Sequence, residues 1–396
     1  MFGTSPRFSV KASVKNIPEH HNLNYTAAYI TCQIGKTQGY PAYVGLLQKK
    51  NLARTPSHVL AIEGEGVQRY GDGAWPGKES EVEFTVCIPS MFNNFDNAAQ
   101  LVETLEMSRL LGAGRVVLYN TSIAPNVEAV LSMYIRQYQL GRDSLEVKVH
   151  PWQLPTFMEN GVKKTFKEKE IIHYYGQLAA VDHCLNRYRQ VSRYIVFSDL
   201  DEVIIPVHHA TWSQLIAERQ EKTTNGFLAY LLNIFRGKFA GFMFQSTLFN
   251  RDRPSPASGF ETDALHYDSN ILGYTSRDDY FFPPRRRSKL IVDPKKVDVM
   301  GTHRIWQGSG LTDNVPVHDG FVAHYRMPLY YCQSQVQDSS VAERFGVKLA
   351  ERLKHVWSRL PGVALEWKHE KKNVHTKVCL EYNKGGLSDD QNLWIL

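Results

Sequence analysis

Between residues 82 and 206 the chain alternates short apolar runs with amphipathic helical patterns, and this alternation constrains the fold most. The runs are rich in β-branched and aromatic residues, which is typical of strands buried on both faces. Strands that alternate with helices through short loops predict a parallel sheet with right-handed crossovers. We therefore expect an α/β fold with a mostly parallel central sheet and flanking helices. The predicted strands are Phe84 to Pro89, Arg115 to Tyr119, Leu145 to Val149 and Arg193 to Phe197.

The rest of the chain is less regular. Short strand patterns at 25–34 and 57–63 predict a small flanking β segment over residues 1–80. One long helix is predicted over 171–188, and the stretches 152–169 and 250–287 are predicted as loops. Further strands are expected at 239–244, 289–292, 297–300 and 320–323, and helices at 212–219 and 341–360. The expected units are thus 1–80, a main domain at 81–330 and a helical extension at 331–396.

Asp199 and Asp201 follow the fourth predicted strand. In open α/β sheets, ligands bind beyond the carboxyl ends of the strands. Residues two apart on an extended segment point to the same side, so both carboxylates are expected to face one ligand. Two hard oxygen ligands suit Mg²⁺ or Mn²⁺ carrying a phosphate-bearing molecule. The alternative is a solvated acidic turn, because Asp favours turns and helix caps.

Net charge and composition limit the kinds of ligand and cofactor that this chain is expected to bind. A net charge of +6 fits a small anionic ligand such as a nucleotide sugar, and it does not amount to a nucleic-acid footprint. No run of 18 apolar residues occurs, so any membrane anchor is expected outside this chain. The five cysteines show no zinc spacing. Cys87 and Cys184 are predicted to be buried free thiols.

Several short motifs stand out over roughly residues 82–330: Phe84 to Pro89, Leu110 to Ala113, Leu118 to Ser122, Tyr175 to Ala180, Asp182 to Leu185, Asp199 to Glu202 and His324 to Arg326. In this order they resemble glycosyltransferase family 92. The family's members are inverting, metal-dependent enzymes of GT-A fold, and several transfer galactose from UDP-galactose in β1,4 linkage to galactose or fucose on glycans. In animals they are typically type II membrane proteins of the Golgi. The resemblance therefore implies a GT-A fold, a nucleotide-sugar donor, a glycan acceptor on a glycoprotein or glycolipid, and a Golgi lumen location.

The same resemblance assigns roles to individual residues. Asp199 and Asp201 match the family's Asp-x-Asp motif, which implies that they hold Mn²⁺ or another divalent cation against the UDP pyrophosphate. His324 is similar to the C-terminal histidine that many GT-A enzymes use as a third metal ligand, with a local hydrogen bond as the alternative. His303 is the rival candidate. Asn120, at the end of the second strand, is a candidate contact for the nucleotide donor.

An inverting transfer also needs a general base beside the acceptor hydroxyl. Glu261 and Asp263 lie in the region where this fold often places its base, and each is otherwise a solvated loop charge. Lys289 and Arg285 are candidates for binding phosphate oxygens, with a surface basic cluster as the alternative. Gln177 is expected to brace the site and not to bind the ligand.

Two other functions fit parts of the pattern. An apolar strand followed by Asp-x-Asp also describes haloacid-dehalogenase-like phosphatases. In those enzymes the motif normally opens the domain, whereas three strand–helix units precede it here. They also have a lysine followed by a further acidic pair, whereas here Asp278 and Asp279 come before Lys289. A non-catalytic glycan-binding relative is expected to lose the metal carboxylates, and both are present. The sequence therefore favours the glycosyltransferase.

Overall fold

The structure is a computed structural model. It describes residues 8–19, 21, 23, 25–34, 41, 43–47, 59–62, 82–154, 156–159, 162–165, 172–222, 239–327 and 334–363. The helices are α1 (Ala98–Leu110), α2 (Pro125–Gln139), α3 (Gln177–Tyr188), α4 (Trp212–Lys222), α5 (Glu261–His266), α6 (Asn270–Gly273) and α7 (Ser340–Trp357). The strands are β1 (Ala12–Asn16), β2 (Ala28–Cys32), β3 (Tyr43–Gly45), β4 (Val59–Ala61), β5 (Val82–Met91), β6 (Arg115–Asn120), β7 (Glu146–Pro151), β8 (Thr156–Glu159), β9 (Val162–Thr165), β10 (Ser192–Phe197), β11 (Glu202–Pro206), β12 (Phe239–Phe244), β13 (Ser246–Asn250), β14 (Ser276–Asp278), β15 (Lys289–Val292), β16 (Val297–Met300), β17 (Ile305–Gly308), β18 (Leu311–Val315), β19 (Gly320–Arg326) and β20 (Gln335–Gln337).

A seven-stranded mixed sheet with the order β18-β12-β15-β10-β5-β6-β7 forms the centre. The four strands predicted from the alternation, β5, β6, β7 and β10, pair in parallel. Strand β15 runs antiparallel between β10 and β12. A second sheet, β11-β19-β13-β14-β20, lies beyond the end of β10. The predicted α/β fold is thus confirmed, and it has the architecture expected of a GT-A fold.

The alternating side chains of β6 show how the central sheet is covered. Val116 and Leu118 pack into the core that contains α1, α2, α4 and α7. Val117 and Tyr119 point to the opposite face and pack into the core that contains α3. Burying such an apolar side chain stabilises the fold by about 1.5–3 kcal/mol. Helices on both faces explain why these strands are apolar throughout.

The predicted long helix at 171–188 is wrong in its first third. A short 3-10 segment, His173–Gly176, precedes α3. Tyr174 and Tyr175 adopt φ values of 41° and 53°, and Gly176 adopts 79°. A right-handed α-helix cannot pass through three residues with positive φ, so α3 begins only at Gln177.

The two long predicted loops also contain regular structure. The stretch 250–287 holds α5, α6 and β14, and the stretch 152–169 holds the hairpin β8–β9. The buried carboxylate of Glu103 organises the first of these, because it accepts hydrogen bonds from the backbone N–H groups of Asn270 and Ile271 at 3.0 and 3.1 Å. A charge on α1 thus fixes the start of α6, and local sequence patterns do not reveal such a long-range contact.

Cys87 and Cys184 are joined in a disulfide, so the prediction of two free thiols is wrong. Cys87 lies on β5 and Cys184 on α3, with Cα atoms 6.3 Å apart. The two residues are 97 positions apart, and only the packing of α3 on the sheet brings them together. Cys32 is a free cysteine of β2.

The N-terminal strands form the antiparallel hairpins β1–β2 and β3–β4. The first hairpin region packs against α3 and β16, since Ile17 forms a buried cluster with Leu178 and Val299. Tyr29 also donates a hydrogen bond to Asp182 Oδ1 on α3 at 2.6 Å. None of the helices within the described ranges combines the length and the hydropathy that crossing a bilayer requires.

Candidate functional site

The candidate site is built on the turn between β10 and β11, which carries Asp199 and Asp201. The turn is held by hydrogen bonds from the second sheet and from α1: Tyr325 N–H on β19 donates to Asp201 O at 2.8 Å, and Thr104 Oγ1 on α1 donates to Leu200 O at 2.8 Å. The extended geometry predicted for these residues is therefore wrong. Both carboxylates nevertheless reach solvent, because each side chain is 33% exposed in an otherwise buried setting.

Asp201 faces His324 on β19. The pairing of β11 with β19 sets Glu202 opposite His324, and His324 Nε2 lies 3.1 Å from Asp201 Oδ2. On its other side, His324 Nδ1 lies 3.1 Å from Glu202 Oε1. Burial alone raises the pKa of Asp201, but the neighbouring His324 outweighs it, so the pKa lies well below its usual range. Asp201 is therefore ionised at neutral pH.

Asp199 faces Lys289 instead. Lys289 Nζ lies 2.7 Å from Asp199 Oδ2 and 2.8 Å from Glu202 Oε2, and its side chain is only 3% exposed. Burial lowers the pKa of Lys289, but the two carboxylates more than reverse this effect and keep the ammonium charged. Gln177 Nε2 lies 3.4 Å from Asp199 Oδ1, which places Gln177 beside the carboxylate it was expected to brace.

The Asp201–His324 pair fits a divalent cation. Asp201 Oδ2 and His324 Nε2 form a hydrogen bond at 3.1 Å, which is the local hydrogen bond expected as the alternative role of His324. Two neighbouring ligands of an octahedral ion, each bound at about 2.1 Å, would lie about 3 Å apart, so the same two atoms are also spaced to hold a cation. The carboxylate of Glu202 lies behind the imidazole, where an outer carboxylate can orient a metal-bound histidine, but its 3.1 Å contact with Nδ1 lacks hydrogen-bond geometry. In the part of the chain that is described, no three His, Cys, Asp or Glu side chains converge in metal-ligand geometry. Such ions often take only one or two protein ligands and complete their shell with substrate phosphates.

His303, the rival metal ligand, lies on the Lys289 side of the site. Its Nδ1 is 3.0 Å from the carbonyl oxygen of Ser288. Burial and the positive charge of Lys289 lower the pKa of His303 to about 3. The structure thus places His324, and not His303, in contact with Asp201.

The other predicted site residues are spread more widely. Asn120 ends β6, next to the carboxyl end of β5, and is partly buried. Arg285 is exposed in a turn with φ of 71°. Lys289 is occupied by its two carboxylates, so its predicted contact with phosphate is left without support. Glu261 and Asp263 lie on α5 and not in a loop, and Glu261 lines a shallow open pocket with Leu265 and His266.

Sequence reasoning missed Glu202 and Tyr174. Glu202 is 3% exposed and links Lys289 to His324, although its place directly after the acidic pair was a usable signal. Tyr174 lies near both aspartates, whose negative charges add to burial in raising its pKa. Its position depends on the positive φ values before α3, which the helical pattern of the sequence conceals.

The chain is similar to known glycosyltransferases. Two curated relatives come from Caenorhabditis elegans. One, named beta-1,4-galactosyltransferase galt-1, is 28% identical over 129 residues, which cover 33% of this chain and 27% of the relative. The other, a glycosyltransferase family 92 protein, is 23% identical over 196 residues, or 48% of this chain and 34% of the relative. The matches thus span about a third or less of each relative.

Similar solved structures include the WbbM bifunctional glycosyltransferase, with 14% identity and a TM-score of 0.25, covering 56% of this chain and 32% of that one. A UDP-glucose pyrophosphorylase from Acinetobacter baumannii has 8% identity and a TM-score of 0.28, covering 70% and 99%. These scores are too low to support an argument. The model of glycosyltransferase family 92, however, matches residues 82–356, which include the whole central sheet and all of α7 except its last residue. The chain therefore belongs to glycosyltransferase family 92.

Proposed function

We propose that this glycosyltransferase moves galactose from UDP-galactose onto galactose or fucose of a glycan, in β1,4 linkage and with inversion. The observation that carries the proposal is the Asp201–His324 pair at the carboxyl end of β10, where α/β sheets bind ligands. The name of the first relative supports the choice of donor and linkage. The acceptor is a glycan on a glycoprotein or a glycolipid.

In this proposal, Asp201 and His324 hold Mn²⁺, with Asp199 next to them. When bound, the cation neutralises the charge that grows on the departing diphosphate. Glu202 orients His324, and Lys289 offsets the charge of Asp199 and Glu202 so that three carboxylates coexist in a small volume. Asn120, at the end of β6, contacts the nucleotide.

The base is Glu261 or Asp263. The acceptor oxygen forms a bond to C1 of galactose while the bond from C1 to the diphosphate oxygen breaks and its electron pair stays with the diphosphate. The acceptor proton passes to the carboxylate. Glu261 faces an open pocket beside Leu265, whose side chain is 86% exposed, and such a surface leaves room for a glycan.

The proposed location is the Golgi lumen, reached by a type II membrane anchor outside the described residues. The Cys87–Cys184 disulfide supports this location, because disulfides persist in oxidising compartments and are rare in the cytosol.

A donor screen tests the proposal. The protein is incubated with a panel of UDP-sugars, Mn²⁺ and glycans that end in galactose or fucose, and released UDP and the extended glycan are measured. UDP-galactose is expected to give acceptor-dependent UDP release and a β1,4-linked product. Transfer of another sugar contradicts the donor assignment. Release of inorganic phosphate indicates the phosphatase alternative, and glycan binding without turnover indicates a non-catalytic relative.

A further inference from the structure

Two arginines approach the acidic turn from opposite sides. Arg326 follows His324 by two residues on β19, so its side chain leaves the strand on the same face as the imidazole that contacts Asp201. Arg287 lies in the turn that leads into β15, two residues before Lys289, whose ammonium contacts Asp199. Both arginines are partly buried.

The charges of these groups act on one another across a common space. Burial and then repulsion from Arg326 lower the pKa of Arg287. Burial raises the pKa of Tyr174, the charges of Arg326 and Arg287 lower it, and the charges of Asp199 and Asp201 raise it further. Strand β15 runs antiparallel to β10 with Leu290 opposite Phe197, so the turn before β15 lies at the same end as the acidic turn after β10. Arg287 and Arg326 therefore both lie beside the turn that carries Asp199 and Asp201.

Neither arginine forms an ion pair with a described residue, although the charge of Glu202 partly opposes the lowering of the Arg287 pKa. Among the residues that the structure describes, no carboxylate forms an ion pair with either guanidinium, and Arg287 lies 5.0 Å over the ring of Phe282. Other arginines with similar burial behave differently: Arg109 and Arg219 each pair with two carboxylates. A partly buried guanidinium group without a paired carboxylate favours binding an anion, because a buried charge is tolerated only when it is paired.

The position of Arg287 and Arg326 beside the proposed cation site indicates which kind of anion they bind. A guanidinium group offers a planar fork of donors that matches phosphate oxygens, whereas Lys289 is already bound to carboxylates. The proposed cation site at Asp201 and His324 lies beside the two arginines. A diphosphate is a group whose negative charge a divalent ion and two arginines can neutralise together.

We propose that Arg287 and Arg326 clamp the diphosphate of the sugar donor and of the nucleotide product, in the role that sequence patterns suggested for Lys289 and Arg285. This inference rests on the proposed function only in taking a nucleotide diphosphate as the leaving group. As the bond from C1 to the diphosphate oxygen breaks, the electron pair moves onto that oxygen, and the arginines stabilise the charge.

Calorimetric titration tests the clamp. Inorganic pyrophosphate and UDP, each with Mn²⁺, are titrated into the whole chain and into Arg287→Gln and Arg326→Gln. Each variant is expected to bind both probes roughly tenfold to a hundredfold more weakly, as expected from the loss of a hydrogen bond to a charged group. Arg286→Gln removes the same charge from an exposed neighbour and is expected to leave the affinities unchanged.

The outcomes separate the clamp from the function. Unchanged affinities in both clamp variants, or a whole chain that binds neither probe, overturn the clamp. Weakened binding without any galactose transfer by the whole chain supports the clamp and contradicts the donor assignment. If the variants transfer galactose with an unchanged donor KM, the donor assignment is supported and the clamp is contradicted. If the Gln variants fail to fold in a melting curve, Arg287→Lys serves instead: it keeps the charge, loses the fork and is expected to weaken pyrophosphate binding.

Discussion

At the scale of single residues, the site depends on Glu202, a buried carboxylate that is not expected to touch substrate. It contacts His324 at 3.1 Å and Lys289 at 2.8 Å, and it is flanked by both aspartates. Buried charges are tolerated only when they are paired. Glu202 therefore fixes the imidazole and the ammonium, and these in turn fix Asp201 and Asp199.

Replacement of Glu202 tests this arrangement. Glu202→Gln keeps the shape but removes the charge, so His324 loses its orienting carboxylate. The Mn²⁺ concentration that gives half-maximal activation is expected to rise by roughly tenfold to a hundredfold. Activation at an unchanged Mn²⁺ concentration would show that Glu202 has no such role, and a melting curve controls for loss of fold.

Asp182 gives the protein a pH-dependent stability. Burial raises its pKa to about 7, although the hydrogen bond from Tyr29 opposes the shift. In the unfolded chain the pKa is about 3.9. Between these values the folded state binds more protons, so the stabilisation is complete below the lower pKa and is lost as the pH rises through the higher one. The slope is at most about 1.4 kcal/mol per pH unit.

We therefore expect the melting temperature of the protein to fall between pH 5 and pH 8, and to fall less steeply in Asp182→Asn. Asparagine keeps an oxygen that accepts the hydrogen bonds from Tyr29 and from the Met300 N–H. Melting curves across this range measure the effect. Identical slopes in the two proteins would exclude Asp182 as the titrating group.

At the scale of elements, α3 connects the site to the rest of the fold. Its first residue, Gln177, reaches Asp199, and Cys184 in its middle is bonded to β5, the neighbour of β10. A disulfide that closes a loop of about 100 residues stabilises a protein by as much as about 4.7 kcal/mol in the chain-entropy description.

The double variant Cys87→Ala, Cys184→Ala is accordingly expected to lose about 2–4 kcal/mol in the free energy of unfolding. Urea denaturation measures the loss. Cys32→Ala, which removes a free thiol, is the matched control and is expected to change stability little. A double variant as stable as the parent would contradict the role of the bond.

The regular strands of this fold could be predicted from the sequence, but the features that depend on contacts between distant segments could not. Strands β5, β6, β7 and β10 follow from apolar runs, and Asp199 and Asp201 follow from their place after β10. His324 was indicated only by the resemblance to the family, and it lies inside β19 and not at its end. The kink at Tyr174 and the disulfide depend on contacts between distant segments. The same holds for Glu202: its partners lie on β15 and β19, which no local pattern connects to it.

At the scale of the whole molecule, α7 completes the core across the boundary that the sequence suggested at residue 330. Arg352 on α7 contacts the fully buried Glu106 of α1 at 2.6 Å. Arg109 and the hydroxyl of Tyr134 on α2 share the same carboxylate. One buried charge therefore links three helices of the core.

Arg352→Met keeps the apolar stem and removes the charge. We expect a loss of about 1.5–3 kcal/mol in the free energy of unfolding, because Glu106 loses a charged hydrogen-bond donor. Lys354→Met, at an exposed position of the same helix, is expected to have little effect. Equal stabilities of the two variants, measured by urea denaturation, would show that α7 is not held by this contact.

The most direct test of the site is Mn²⁺ binding followed by electron paramagnetic resonance, in which the signal of free Mn²⁺ falls as the ion is bound. With UDP present, the protein is expected to bind one Mn²⁺, and Asp201→Asn is expected to leave most of the free signal while its melting curve stays that of a folded protein. Equal Mn²⁺ binding by the two proteins would contradict the proposal that Asp201 and His324 hold the cation.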